Sequence, residues 1–350
     1  MILKRSPALS LNKVNNFAAL DYLKFFCALL VAAIHIEPFE SSGFLVSFCA
    51  KNTLPRIAVP IFFIISGFFL FQKLDDRIKI RRYSLRILLL YAVYSIIHLP
   101  FVISDINKGK TSFSEFFRSI FLYRSYLHLW YLLTLFFTVI IIYLLYNKLK
   151  MPLKTQLIIF GILHIIGILI SFYRPVFDST YLKPIIDRYY EIFFDIENFV
   201  FFGFYVVLGC FIRENSGKIP NKNYGLYSAA FFCLFAGEMI INRLLFQKAD
   251  YQISFFLVPA VLFIFLAACF CDLSEKFRKH ALFFRRQSTI IYLWHMVFFN
   301  VLNKMFFVLT GIRLNRFVLY AATVIISFIF AAVWIKLSEN KRFGFLKYLS

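Results

Sequence analysis

Three ionisable side chains lie in the first long apolar segment of the sequence: Asp21, Lys24 and His35. Lys24 and His35 are eleven positions apart. An α-helix would therefore project both from nearly one face, about 16 Å apart along its axis. Ionisable groups within a membrane-spanning helix are costly and usually line a polar cavity. This face is cationic at Lys24 and has a titratable base at His35, so we predict a functional role for His35.

Glu37 lies close enough in sequence to assist His35. It directly precedes Pro38, which disfavours regular helix at Glu37 and lets its carboxylate turn back toward the histidine. Simpler explanations compete for this segment. Lys24 could extend to the lipid headgroups and pair with Asp21, and His35 could be an interfacial histidine.

A basic stretch between the second and third apolar segments could bind phosphate. Arg82 and Arg86 are four positions apart and share one face of a helix. The planar guanidinium of arginine matches the geometry of phosphate oxygens. The same charges have a plainer role, because basic loops fix the orientation of membrane proteins.

Five further residues are candidates to line a cavity. Ser66 is followed by a glycine, and this pair permits close approach of a helix or a ligand, although helix packing is the simpler explanation. His128 and Trp130 open another apolar segment, where an interfacial aromatic belt is the alternative. Tyr292 and His295 are three positions apart, so they are neighbours on one helix face.

Other polar residues have weaker signals. His98 and His164 have no polar neighbours in sequence, which indicates bundle-interior or interface positions. Asp187, Glu191 and Asp195 recur every four residues and would form an acidic stripe on a helix. A solvated loop face is the favoured interpretation of this stripe, and hydrogen bonding to a hydroxylated acceptor is the alternative.

Composition places these residues in a membrane protein. Hydrophobic residues make up 61% of the 350 positions and charged residues 16%, against roughly 45–50% and about 25% in soluble domains. Lipid leaves open strands without partners, so we predict an all-α helical bundle. Ten windows are long enough to cross a membrane. They are 17–37, 54–72, 83–103, 127–146, 155–173, 196–212, 224–244, 252–271, 287–309 and 316–336.

Loop charge predicts that both termini are cytoplasmic. With that orientation, 24 of the 39 Lys and Arg residues belong to cytoplasmic segments and 14 to external ones. The chain then divides into an N-terminal segment (1–16), a membrane domain (17–336) and a C-terminal tail (337–350). The net charge of +21 follows from these loops, which face anionic lipid, so nucleic-acid binding is not expected. The six cysteines show no ligand or disulfide spacing, and no metal site is expected.

Several strings resemble the bacterial acyltransferase 3 family of membrane proteins. That family's first span carries a basic residue, ten intervening residues and then a histidine, as Lys24 and His35 do here. Lysine stands where the family usually has arginine, which keeps the charge and loses the bidentate geometry. The resembling strings follow the family's order along nearly the whole chain. They are LDYLK (20–24), HIEP (35–38), PIFFIISG (60–67), YSLRILLLY (83–91), HLWYL (128–132) and STIIYLWH (288–295).

The resemblance implies a multi-pass enzyme of the bacterial cytoplasmic membrane. Such an enzyme transfers an acyl group, commonly acetyl, from acyl-CoA to a hydroxyl of an envelope or exported polysaccharide or glycolipid, and no permanently bound cofactor is expected. His35 would be catalytic and possibly oriented by Glu37; Lys24, Arg82 and Arg86 would bind the donor. Ser66, His128, Trp130, Tyr292 and His295 would line the cavity. The competing hypothesis is an exporter or flippase for a polysaccharide or lipid-linked sugar that performs no acyl transfer.

Overall fold

Each of the ten apolar windows contains an α-helix in a computed structural model that describes residues 17–193, 195–246 and 251–349. No β-strand occurs among those residues, as expected where lipid supplies no hydrogen bonds. The predicted N-terminal segment 1–16 lies outside the described residues. The helices are α1 (Ala18–Ile36), α2 (Phe44–Asn52), α3 (Ala58–Leu70), α4 (Arg77–Asn107), α5 (Phe113–Leu122), α6 (Trp130–Tyr143), α7 (Leu153–Ser171), α8 (Arg174–Phe177), α9 (Lys183–Phe193), α10 (Phe199–Glu214), α11 (Tyr224–Leu245), α12 (Leu257–Phe270), α13 (Glu275–Thr310) and α14 (Arg316–Glu339).

Eight helical segments of the described chain are long and apolar enough to cross a membrane. The windows 196–212 and 252–271 hold shorter helices instead, with 16 residues in α10 and 14 in α12. A straight crossing needs about 20 residues. The number of ten spans and the sides on which the termini lie therefore stay predictions.

Glycine permits the closest helix crossing next to the site. A Cβ at Gly67 in α3 would lie 2.8 Å from the carbonyl carbon of Val206 in α10 and would overlap the carbonyl oxygen. A Cβ at Gly209 would meet the backbone of Ile64 in the same way. The thiol of Cys210 also donates to the Gly67 carbonyl at 3.2 Å. The prediction of a close approach at the Ser66–Gly67 pair is confirmed, and the approaching partner is a helix.

An ion pair joins the start of α1 to α13. Arg285 donates from Nε to Oδ1 of Asp21 at 2.7 Å and from Nη2 to Oδ2 at 3.0 Å. The Asp21 side chain is 7% exposed and the Arg285 side chain 52%. Asp21 thus pairs with Arg285. Lys24 lies about one helical turn further along α1.

The C-terminal residues return to the bundle. Short helical turns cover Lys341–Leu349 after α14 ends at Glu339. The Tyr94 hydroxyl donates to the carbonyl of Leu349 at 3.1 Å, and the Trp334 indole donates to that of Leu346 at 3.3 Å. These contacts fix the segment against α4 and α14.

Candidate functional site

Four histidines from three helices and one turn form a cluster. His35 of α1 stacks on His295 of α13 with ring centroids 5.6 Å apart. His128, in the turn that precedes α6, lies 6.2 Å from His35 and 4.8 Å from His295. His98 of α4 completes the group at 5.1 Å from His128. The sequence-predicted histidines His35, His128 and His295 are therefore brought together, although they are distant in sequence.

Backbone carbonyls orient two of the rings. Nδ1 of His98 donates to the carbonyl of Tyr94 at 2.7 Å, and Nδ1 of His295 donates to that of Tyr292 at 2.8 Å. Their buried Nε2 atoms, and both buried ring nitrogens of His128, have no hydrogen-bond partner of ordinary geometry among the described residues. Buried nitrogens without partners cost about 1–3 kcal/mol each. The cluster therefore has hydrogen-bonding capacity that the described residues leave unused.

His35 opens into a small cavity that we call the histidine pocket. Its empty volume is about 470 Å³, part of which is open. Three of the predicted cavity residues share its lining with His35: His128, Trp130 and Tyr292. Three polar residues at one end of the bundle complete it: Arg56, Glu197 and Gln252.

Lys24 opens into a second cavity, the lysine pocket, nearer the other end of α1. Its empty volume is about 740 Å³, again including open space. Arg86 and Ser66 line it with Lys24, as predicted. The Ser66 hydroxyl lies 3.0 Å from that of Tyr131, so a hydrogen-bonded pair of hydroxyl-bearing residues lines the cavity together with the two cations. Further polar lining comes from Tyr83, Tyr131, Ser288 and Thr289.

Tyr292 lines both pockets. Its hydroxyl donates to the backbone carbonyl of His128, which fixes its ring against the turn before α6. One aromatic side chain thus forms a shared wall between a cationic cavity and a histidine cavity. The two pockets therefore adjoin at this side chain.

Three predicted site residues lie outside the pocket linings: Arg82, Glu37 and His295. His295 is fully buried behind the pocket and contacts it through its stacking on His35. Arg82 is exposed one turn before Arg86 and does not line the lysine pocket. Glu37 ends α1 in a left-handed conformation, with φ of 56°, and its carboxylate accepts from Nζ of Lys51 at 2.6 Å. The structure thus shows Glu37 engaged by Lys51 and fixing the loop after α1.

The carboxylates near the histidine pocket are interconnected. The Tyr123 hydroxyl lies 2.9 Å from a carboxylate oxygen of Glu197 and 2.9 Å from one of Asp195, and its single proton can be donated to either; Arg124 donates to Glu197 at 3.2 Å. Glu197 is largely buried and lines the histidine pocket, so this network reaches the cavity that contains His35.

The predicted acidic stripe does not form one surface. Asp187 pairs with Arg174 at 2.7 Å, and Glu191 pairs with Arg188 at 2.8 Å. Asp195 lies beyond the end of α9 and contacts Tyr123. It is the one member of the stripe that lies near the histidine pocket. Asp187 and Glu191 have the ion-paired surface positions that the simpler interpretation predicted.

Four site residues were missed: His98, Arg56, Glu197 and Gln252. Each lies inside one of the ten predicted windows. A polar residue in such a window itself indicates a cavity, and the sequence shows this for all four. The sequence does not show that they lie together in space, because they come from four separate segments.

Comparison with known proteins gives a match over most of the chain. A family model described as an acyltransferase domain matches residues 17–333. Two curated relatives from Enterococcus faecalis, both named amino-acid racemase, are also similar. One is 26% identical over 262 residues, which is 73% of this chain and 36% of the relative. The other is 24% identical over 346 residues, which is 92% of this chain and 46% of the relative.

This chain therefore spans less than half the length of these two relatives. No solved structure matches it.

Proposed function

The chain belongs to the acyltransferase 3 family of membrane acyltransferases, and we propose that it moves an acyl group from acyl-CoA to a hydroxyl of a cell-envelope glycan or glycolipid. The observation that carries this proposal is the shared wall at Tyr292. That residue separates a pocket with two cations from a pocket with a histidine cluster. A phosphate-bearing donor and a hydroxyl-bearing acceptor need such different surroundings.

The lysine pocket suits the donor. Lys24 and Arg86 supply two cations for the phosphates of coenzyme A, while apolar lining such as Leu90 and Leu135 suits the uncharged part of the thioester arm. The loop charges predict that this end faces the cytoplasm, where acyl-CoA is made. Acetyl is the acyl group we favour, because the family resemblance implies it.

The histidine pocket suits the acceptor. His35 takes the proton from the acceptor hydroxyl as its oxygen attacks the carbonyl carbon of the thioester. The bond from carbon to sulfur then breaks, the ester leaves, and the departing thiolate of coenzyme A takes up the proton. The partnerless nitrogens of His128 and His295 lie close enough to His35 to stabilise the oxygen that becomes negative, or to pass the proton on.

The alternative is a carrier that exports a polysaccharide or a lipid-linked sugar. A carrier predicts no consumption of acyl-CoA and retention of the glycan inside the cell when the gene is deleted. An acyltransferase predicts normal export of an under-acylated glycan.

The experiment compares His35→Gln with His164→Gln in purified protein. His164 is also a buried histidine, but it packs on Phe204 and Tyr205 and lines neither pocket. Acetyl-CoA and envelope glycan are supplied, and both thiol release and ester on the glycan are measured. We expect activity to fall at least about a hundredfold for His35→Gln, the range for loss of a general base, and to persist for His164→Gln.

Both variants are first shown to be monodisperse in detergent. Full activity of a folded His35→Gln protein would remove His35 from the mechanism. Absence of thiol release and of ester in the wild-type protein, together with glycan retention in deletion cells, would replace the acyltransferase with the carrier.

A further inference from the structure

Arg56 is a cation at the histidine pocket that forms no ion pair within 4.0 Å among the described residues, although Glu197 lines the same cavity and its charge interacts with that of Arg56. It lies in the short turn Leu54–Ile57 that leads into α3, and it lines the pocket with His35. Its one side-chain hydrogen bond runs from Nη2 to Oδ1 of Asn52 at 3.0 Å. Its Nε is buried and donates to no group in the described part of the chain.

The acidic groups at this end of the bundle have other partners. Glu197 accepts from Tyr123 and Arg124, and Gln252 donates to Asp195 at 3.1 Å. No ion pair of the described residues reaches Arg56 within 4.0 Å. A partly buried guanidinium with a spare N–H is costly unless an anion joins it. Its planar fork binds carboxylate by two parallel hydrogen bonds.

The remaining lining suits one sugar ring. Trp130 and Tyr292 present aromatic surface, while Gln252 and Glu197 present polar atoms to the same cavity. His35 shares this cavity, so a bound ring with its anionic group at Arg56 would keep a hydroxyl within reach of the proposed base.

We propose that the histidine pocket binds an acceptor that carries a carboxylate as well as the reacting hydroxyl, as a uronic-acid residue does. The carboxylate pairs with Arg56, and the hydroxyl faces His35. This inference rests on the proposed acyl transfer for its choice of reacting group. The selection of an acidic ligand rests on Arg56 alone and can be measured without turnover.

The test compares methyl glucuronide with methyl glucoside, which differ only in a carboxylate against a hydroxymethyl group. Binding is followed by the fluorescence of the protein's tryptophans, of which Trp130 lines the pocket, and transfer from acetyl-CoA is followed by thiol release. We expect the wild-type protein to favour the glucuronide about tenfold or more, in affinity and in kcat/KM. Arg56→Gln should lose this preference, and Arg56→Lys should keep part of it.

Arg316→Gln is the matched control. Arg316 is an arginine at the same end of the bundle, paired with Glu40 at 2.8 Å and absent from the pocket lining. Equal binding of the two sugars by wild-type protein, or an unchanged preference in folded Arg56→Gln, would overturn the inference. If acetyl-CoA releases its thiol with neutral sugars and the protein does not prefer the glucuronide, the inference is overturned and acyl transfer still stands. Selective glucuronide binding without thiol release would support the acidic site and count against acyl transfer.

Discussion

The crossing of α3 and α10 at Gly67 predicts a large effect from one added methyl group. In Gly67→Ala, the new Cβ would overlap the Val206 carbonyl oxygen and lie 2.8 Å from its carbon. Carbon atoms in contact prefer about 3.5–4.0 Å. Backbone atoms cannot rotate away as a side chain can, so the two helices must separate by about 1 Å.

Such overpacking costs about 1–3 kcal/mol and sometimes more. We expect about 2 kcal/mol or more for Gly67→Ala, which lowers the folded-to-unfolded ratio about 30-fold. Ser66, the next residue on α3, lines the lysine pocket, so acyl-CoA should also bind less well. The assay is reversible unfolding in detergent, followed by titration of the folded protein with acetyl-CoA.

Gly237→Ala is the control for the same chemical change. Gly237 lies inside α11, and nothing comes within 4 Å of a Cβ there. Alanine favours helix over glycine by about 1 kcal/mol, so this variant should match or exceed the wild-type stability. If Gly67→Ala and Gly237→Ala unfold at the same denaturant concentration, the close crossing is not as described.

Two further predictions concern charged groups. Arg86→Gln should raise the KM for acyl-CoA about tenfold in steady-state assays, as loss of a hydrogen bond to phosphate predicts, whereas Arg82→Gln, outside the pocket, should change it less than about twofold. Asp21→Asn should cost about 1–3 kcal/mol in denaturant unfolding, less than a fully buried pair because Arg285 is half exposed; an unchanged midpoint would contradict this.

Helix positions were predictable because apolar length is a local property. The windows 224–244 and 316–336 correspond to Tyr224–Leu245 and Arg316–Glu339 almost residue for residue. The start of α13 was missed by twelve residues, since Glu275–Arg286 is polar and its helix extends beyond the apolar stretch. The pattern of apolar residues marks where lipid can cover a helix and does not mark where the helix ends.

Site residues were predictable where their own element carried the signal. Lys24 and His35 share a helix, so their common face followed from helical geometry. Arg56 and Glu197 carried a signal of the same kind, an ionisable residue within an apolar window, and it was not used. The ion-pair partner of Asp21 could not be predicted, because Arg285 is 264 positions away in sequence and several other basic residues were equally plausible partners.

The arrangement of the two pockets favours transfer over transport. A carrier of the alternating-access kind holds its cargo in one site near the middle of the membrane and opens that site to each side in turn. Here the cations and the histidine cluster line different cavities with different chemistry, and Tyr292 is fixed between them by the carbonyl of His128. A cargo would meet two unlike sites in succession. Two different substrates, each bound at its own end, would need only their reacting atoms to meet beside Tyr292, and His35 lies in the pocket that shares this wall.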